Sequence, residues 1–221
     1  MRSALLVLGL LAAFPAPARI LDFHTDIRVA KSGELSVTER ITVEVEPGQA
    51  FSGLVRELNG PVSPIDVIRN GHPEPHTLEE TRLRVGAAPL TPGRHLYQIS
   101  YRTTRHIRFQ DGYDELRWKL APAERITAEV ILPATVPARD IRTGALGGEH
   151  ESFVRDGRAA FRARQPVTLV MRFPNDVVAS PGIGQRVRWF LSDYGGILLV
   201  VLGLGLTAWV LYRFKSLSAR T

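Results

Sequence analysis

Between residues 20 and 46 apolar and polar side chains take turns with a period of two. Leu21, Phe23, Ile27 and Val29 alternate with Asp22, His24, Asp26 and Arg28. After Lys31-Ser32-Gly33, Leu35, Val37, Ile41, Val43 and Val45 alternate with Glu34, Ser36, Thr38, Arg40, Thr42 and Glu44. Successive side chains of a strand point to opposite faces, so the pattern predicts a hairpin with one buried and one wet face. The same period returns in Tyr97, Ile99 and Tyr101, in Ile107 and Phe109, in residues 113–118, in Ile126, Ala128, Val130 and Leu132, and in Val167, Leu169, Met171 and Phe173 before Pro174. Shorter strands are expected at residues 65–69, at 83–85, on both sides of Asp156-Gly157 and, weakly, at 140–143. Asn70-Gly71, Thr91-Pro92-Gly93 and Asp111-Gly112 supply turns, and residues 61–64 read as a linker-like turn. No amphipathic soluble helix or internal repeat interrupts this series. Short strands at regular spacing predict a mainly β fold, an antiparallel immunoglobulin-like β-sandwich over residues 19–174, with a barrel as the alternative.

The alternation stops at two places. Residues 195–212 form a run of 18 residues without a charge, flanked by Trp189 and Tyr194 before it, with Trp209 and Tyr212 in its last turn and Arg213 and Lys215 directly after. As a helix this run spans about 27 Å, close to the hydrocarbon thickness of a bilayer. A transmembrane helix is therefore expected at 194–212, with a linker and interfacial segment at 175–193 and a short tail at 213–221. At the other end, Arg2, the apolar stretch 4–14 and Ala16-Pro17-Ala18 have the order of a secretory signal peptide over residues 1–18, cleaved before Arg19. Together these place the β-domain outside the cytoplasm, anchored by one helix in the inner membrane of a bacterium, with a short C-terminus inside.

Composition changes this picture in two respects. The chain has no cysteine, so neither a disulfide framework nor a thiol nucleophile enters the reading. The net charge of +6 is carried almost wholly by arginine, the lysines being Lys31, Lys119 and Lys215. A basic domain of this kind suits the lipid bilayer, an envelope protein or an anionic polymer as partner. In sequence the arginines are dispersed among acids rather than gathered in a stripe, which argues against nucleic acid.

Candidate chemistry is sparse. Glu39 sits in the apolar phase between Val37 and Ile41, so its strand turns the carboxylate inward, and an inward carboxylate needs a partner. Arg56, in the apolar-flanked stretch 51–58, is the expected one, forming a structural ion pair. His72, Glu74 and His76 lie within five residues, yet Pro73 and Pro75 forbid a helix that would place both rings on one face; a solvated turn is expected rather than a metal site. No cofactor is expected. Gly-x-Ser-x-Gly, His-Glu-x-x-His and a phosphate loop are all missing from the sequence.

The order of Ile20-Leu-Asp-Phe-His-Thr-Asp-Ile27, Gly33-Glu-Leu-Ser-Val-Thr-Glu-Arg-Ile41, Gly53-Leu-Val-Arg56, Leu90-Thr-Pro-Gly-Arg-His-Leu-Tyr97, Tyr113-Asp-Glu-Leu-Arg-Trp118 and Val130-Ile-Leu-Pro133 ahead of a membrane helix resembles the YciQ-like predicted bacterial membrane proteins, whose exported part is domain of unknown function 2207. The resemblance runs over roughly residues 19–215. It implies an exported β-rich domain on a membrane protein and no reaction. It marks Tyr113, Asp114, Glu115 and Trp118 as a family-like motif without assigning them a role. Members usually continue into further membrane segments, whereas this sequence ends at Thr221. The expected function is a membrane-anchored, non-enzymatic binding or interaction module of the envelope. The alternative is an exported glycan or peptide hydrolase using Glu39 with Asp114 or Glu115, although neighbouring residues of one strand point to opposite faces.

Overall fold

The computed structural model describes residues 18–218 apart from 49, 50, 52, 87 and 88. The expected signal segment, except for its last residue, lies outside the described residues, as does the end of the tail. The chain divides into two compact units, Met1–Ala179 and Ser180–Thr221.

The described residues of the first unit form fifteen strands: β1 (Arg19–Val29), β2 (Leu35–Val45), β3 (Leu54–Glu57), β4 (Val62–Arg69), β5 (His72–Pro73), β6 (His76–Glu79), β7 (Arg82–Val85), β8 (Gly93–Thr103), β9 (Ile107–Gln110), β10 (Tyr113–Lys119), β11 (Arg125–Ile131), β12 (Arg142–Leu146), β13 (His150–Arg155), β14 (Arg158–Ala163) and β15 (Thr168–Phe173). They form an eight-stranded sheet in the order β13-β14-β11-β1-β2-β8-β4-β5, a four-stranded sheet β12-β15-β10-β9 and a three-stranded sheet β3-β7-β6. The expected mainly β architecture with antiparallel sheets is what the structure has. One pair departs from it: β1 runs parallel to β11, with Phe23 beside Ile126 and Ile27 beside Val130. Periodicity assigns each side chain a face but says nothing about which strand lies alongside, so a pairing across a hundred residues is not legible from it.

The expected hairpin of β1 and β2 is present, with Ile27 opposite Val37 and Phe23 opposite Ile41. Its inward side chains join those of β8, β11 and β14 in one core, to which Leu54, Leu83 and Val85 of the three-stranded sheet and Leu116, Trp118, Leu169, Met171 and Phe173 of the four-stranded sheet also belong. The two smaller sheets thus share a single interior with the large one, which is the sandwich arrangement. Two local expectations shift. Of residues 61–64, Val62 onward is the bulged beginning of β4 and not a linker, with its register against β8 broken between Val62 and Ile65. The strand expected at 140–143 moves toward the C-terminus, because residues 138–140 close a 3-10 turn and β12 starts only at Arg142.

The second unit contains α1 (Ile183–Ser218). Its apolar side chains are exposed along the segment 183–207, including Leu199, Leu202 and Leu204. With its apolar side chains exposed, the helix is long and apolar enough to cross a membrane. It begins earlier and ends later than the 194–212 expected from hydropathy. Nothing between Gln185 and Tyr194 breaks a helix, and a helix once nucleated extends through tolerant residues at little cost.

Candidate functional site

The inward carboxylate of Glu39 is the polar centre of the core. On β2 it lies opposite Thr25 of β1 and Ile99 of β8, and it is 0% exposed. Arg56 reaches it from β3 of the three-stranded sheet: Nε donates to Oε2 at 2.7 Å and Nη2 to Oε1 at 2.9 Å, a bidentate fork. Tyr101, one strand over on β8, donates its hydroxyl to Oε1 at 2.9 Å. The Arg56 side chain retains 11% exposure, its Nη1 donates to the backbone carbonyl of Glu57, and its guanidinium carbon stands 5.2 Å from the centre of the Phe23 ring. Burial pulls the Arg56 guanidinium down, but the charge and hydrogen bonds of Glu39 outweigh it and hold the group above its ordinary value. The Tyr101 hydroxyl is pushed well above its usual range, first by burial and then by the adjacent carboxylate. Arg56 thereby stays charged and Tyr101 neutral across the neutral range.

The backbone that delivers Arg56 depends on Gly53. Its φ is +132°, and a Cβ there would stand 2.2 Å from the carbonyl oxygen of Val85. Glycine is the residue that lets β3 enter so close to β7, which seats Leu54 in the core and, two residues on, aims Arg56 at Glu39.

The four residues of the family-like motif divide between two faces of β10. Asp114 points inward with Leu116 and Trp118 and is 2% exposed; its Oδ2 has no hydrogen-bond partner among the described residues. Burial raises its pKa, with Asp176 adding to the effect. Trp118 is buried, its indole meeting the His106 ring edge-on at 5.0 Å. Glu115 points to the opposite face, yet its side chain is sealed beneath two arginines: Arg172 Nε donates to Oε2 at 2.7 Å and Arg117 Nε to Oε1 at 2.5 Å. Burial raises the Glu115 pKa, but these hydrogen bonds prevail and hold it below the usual value. Arg172 also lies over the Tyr113 ring at 5.0 Å.

Glu39 and the Asp114-Glu115 pair therefore sit on different sheets, and no hydrogen bond joins them among the described residues. His72 and His76 are exposed on β5 and β6. Glu74 instead accepts from Arg69 Nε at 2.9 Å, and His76 Nδ1 donates to the Glu74 backbone carbonyl at 3.2 Å. Among the described residues no group of three His, Cys, Asp or Glu side chains is placed to hold a metal ion.

Residues 19–173 match the family model described as predicted membrane protein (DUF2207) N-terminal domain. The chain belongs to this family. As a DUF2207 protein it is a predicted membrane protein whose matched part ends at the last strand of the sandwich, ahead of the candidate transmembrane helix. Its fold is similar to that of part of yeast LTA4 hydrolase in complex with bestatin, with a TM-score of 0.51, 11% identity and coverage of 71% of this chain and 29% of that one. An M1 zinc metallopeptidase from Deinococcus radiodurans shows a TM-score of 0.45 at 19% identity over 70% of this chain and 42% of the other. The chain thus spans less than half the length of either, and at these identities the likeness is one of fold. No curated protein matches the sequence.

Several features of this DUF2207 domain escaped the pattern of the chain. Tyr101 counts as an apolar position of β8, although a buried tyrosine hydroxyl generally finds a partner and could have been paired with Glu39 on that ground. His106 gave no signal. Its Nε2 lies 2.9 Å from the Thr103 hydroxyl, which itself donates to the Pro61 carbonyl at 2.7 Å, so the imidazole must be the donor and carry its proton on Nε2. Burial pushes its pKa down to about 4.

Proposed function

We propose that this DUF2207 protein is a non-enzymatic, membrane-anchored binding module whose β-domain lies on the outer side of a bacterial inner membrane. The observation that carries this reading is the state of Glu39. The Glu39 carboxylate, turned inward by the pattern of its strand, is sealed from solvent and saturated by Arg56 and Tyr101, so no substrate atom can approach it. Such a group ties sheet to sheet rather than doing acid–base work, which needs a proton-transfer path to a bound ligand. Glu115 is likewise held by two arginines, and it and the buried Asp114 lie on a different sheet from Glu39, so these three carboxylates do not form the accessible pair that glycoside hydrolysis needs. The likeness to parts of two hydrolytic proteins brings no catalytic residue with it, since the sequence lacks His-Glu-x-x-His.

The test is to place the full chain in lipid nanodiscs and assay fluorogenic aminoacyl and glycosyl substrates alongside binding to purified envelope fractions. Binding without turnover is the expected result. Turnover that disappears in Glu39→Gln while the variant remains folded would refute the reading.

A further inference from the structure

The outer face of the four-stranded sheet collects a charge surplus that the sequence keeps scattered. Strand register puts Arg142 of β12 beside Arg172 of β15, Arg172 beside Glu115 of β10, and Glu115 beside Arg108 of β9. At about 4.8 Å per strand this row is roughly 14 Å long. Arg117 and Lys119 follow Glu115 on the same face of β10. Five cations therefore surround a single carboxylate. Arg172 and Arg117 are spent on Glu115, whereas Arg108, Arg142 and Lys119 are exposed and form no ion pair among the described residues.

The large sheet is different. There Arg125 pairs with Asp22, Arg40 with Asp26, Arg94 with Glu44 and Arg158 with Glu129, so its wet face is close to balanced. The surplus on the small sheet is a local feature and not a consequence of the overall charge. Two shallow hollows flank its arginine pair. One, of about 420 Å³, is bounded by Tyr113, Arg139, Asp140 and Pro174; the other, of about 200 Å³, by Thr143, Gly144, Leu146 and Val170. Arg142 and Arg172 line both. A flat plane of lipid headgroups would bridge over the hollows, while an extended chain can lie through them and across the guanidinium row.

We infer that this face binds an acidic polymer of the cell envelope, with Arg142 and Arg108 forking onto its repeated carboxylate or phosphate groups and Arg172 adding its charge between them. The inference rests on the binding-module reading and names its ligand class and site. Guanidinium supplies the paired N–H donors that planar oxyanions accept, and Glu115 fixes Arg172 and Arg117 in place before the ligand arrives.

The experiment titrates the full chain, in neutral detergent micelles, with fluorescent polygalacturonate as the carboxylate probe and polyphosphate as the phosphate probe. Dextran serves as the neutral control. Five cations less Glu115 leave four charges to be neutralised, so binding should weaken about 50-fold between 50 and 200 mM salt. Arg108→Glu/Arg142→Glu brings that surplus to zero and should abolish measurable binding. Arg28→Glu/Arg84→Glu makes the same change in net charge on other surfaces and should bind like the parent. Equal loss in both double variants, no binding of either polymer by the parent, tighter binding to duplex DNA, or capture only by phosphatidylglycerol nanodiscs would each overturn the inference while leaving a binding module with another ligand. Shortening of the polymer during incubation would instead overturn the module reading itself.

Discussion

Replacing Glu39 by Gln tests how the two sheets are held. Gln keeps one acceptor for Tyr101 and Arg56 but presents an amide in place of the second oxygen, facing the Arg56 Nε that now donates at 2.7 Å. One charge-assisted hydrogen bond is lost, and a guanidinium with 11% exposure remains without its counter-charge. The expected cost is about 3–4 kcal/mol, within the range for breaking a buried pair by removing one partner. Arg56→Met strands the carboxylate in the same way and should cost a similar amount. The double variant removes both charges and leaves the neutral amide to the Tyr101 hydroxyl, so it should cost about 4 kcal/mol rather than the sum of about 7, a coupling near 3 kcal/mol. The measurement is urea and thermal unfolding of the full chain in neutral detergent, followed by the β-sheet circular dichroism signal. Each single variant should lower Tm by roughly 10 °C. Additivity within about 0.5 kcal/mol would refute the pairing as an energetic unit, whatever its geometry.

Three further outcomes are expected. Gly53→Ala forces a Cβ to 2.2 Å from the Val85 carbonyl at φ +132°, and should destabilise the β-domain by about 2–3 kcal/mol in the same unfolding assay; an unchanged Tm would show that β3 can move away freely. His106 is held neutral in the fold, with its pKa down at about 4, so between that value and about 6.5 the unfolded chain binds the extra proton. Stability should accordingly be complete above pH 6.5 and fall as pH drops toward 4, by up to about 3 kcal/mol, and His106→Gln should flatten that slope. Asp114 has the opposite linkage: its raised pKa means that its contribution is present at low pH and lost as pH rises through the folded value. Asp114→Asn should therefore add about 1 kcal/mol at pH 8 and nothing at pH 3, and a loss at pH 8 would contradict the unpartnered carboxylate.

Much of the architecture was legible because a strand leaves a plain mark. Val37, Ile41 and Val43 alternate with polar residues since one face of β2 meets the core and the other meets water. The same regularity exposed Glu39 as an exception, and the chemistry of a buried carboxylate pointed to an arginine such as Arg56. The candidate membrane helix was equally plain in kind, because an uncharged apolar run of this length matches the thickness of a bilayer. Its ends were not, as hydropathy marks the apolar part while backbone hydrogen bonding continues through Arg186, Trp189 and Arg213.

What the chain determined by itself is a set of local quantities: the face each residue takes, the places where turns fall, and the length of the apolar span. These follow from bonded geometry and from the partition of side chains between water and apolar surroundings, which act within a few residues. The tertiary structure alone decided which strands are neighbours. It laid β1 parallel to β11, brought the Tyr101 hydroxyl to Glu39, and sealed Glu115 beneath arginines two and fifty-seven residues away. It also turned arginines dispersed along the chain into a row on one sheet face, with Arg142, Arg172 and Arg108 in register across four strands. Charge density at a surface depends on distance in space, and strand register, unlike strand formation, is set by the packing of the whole core.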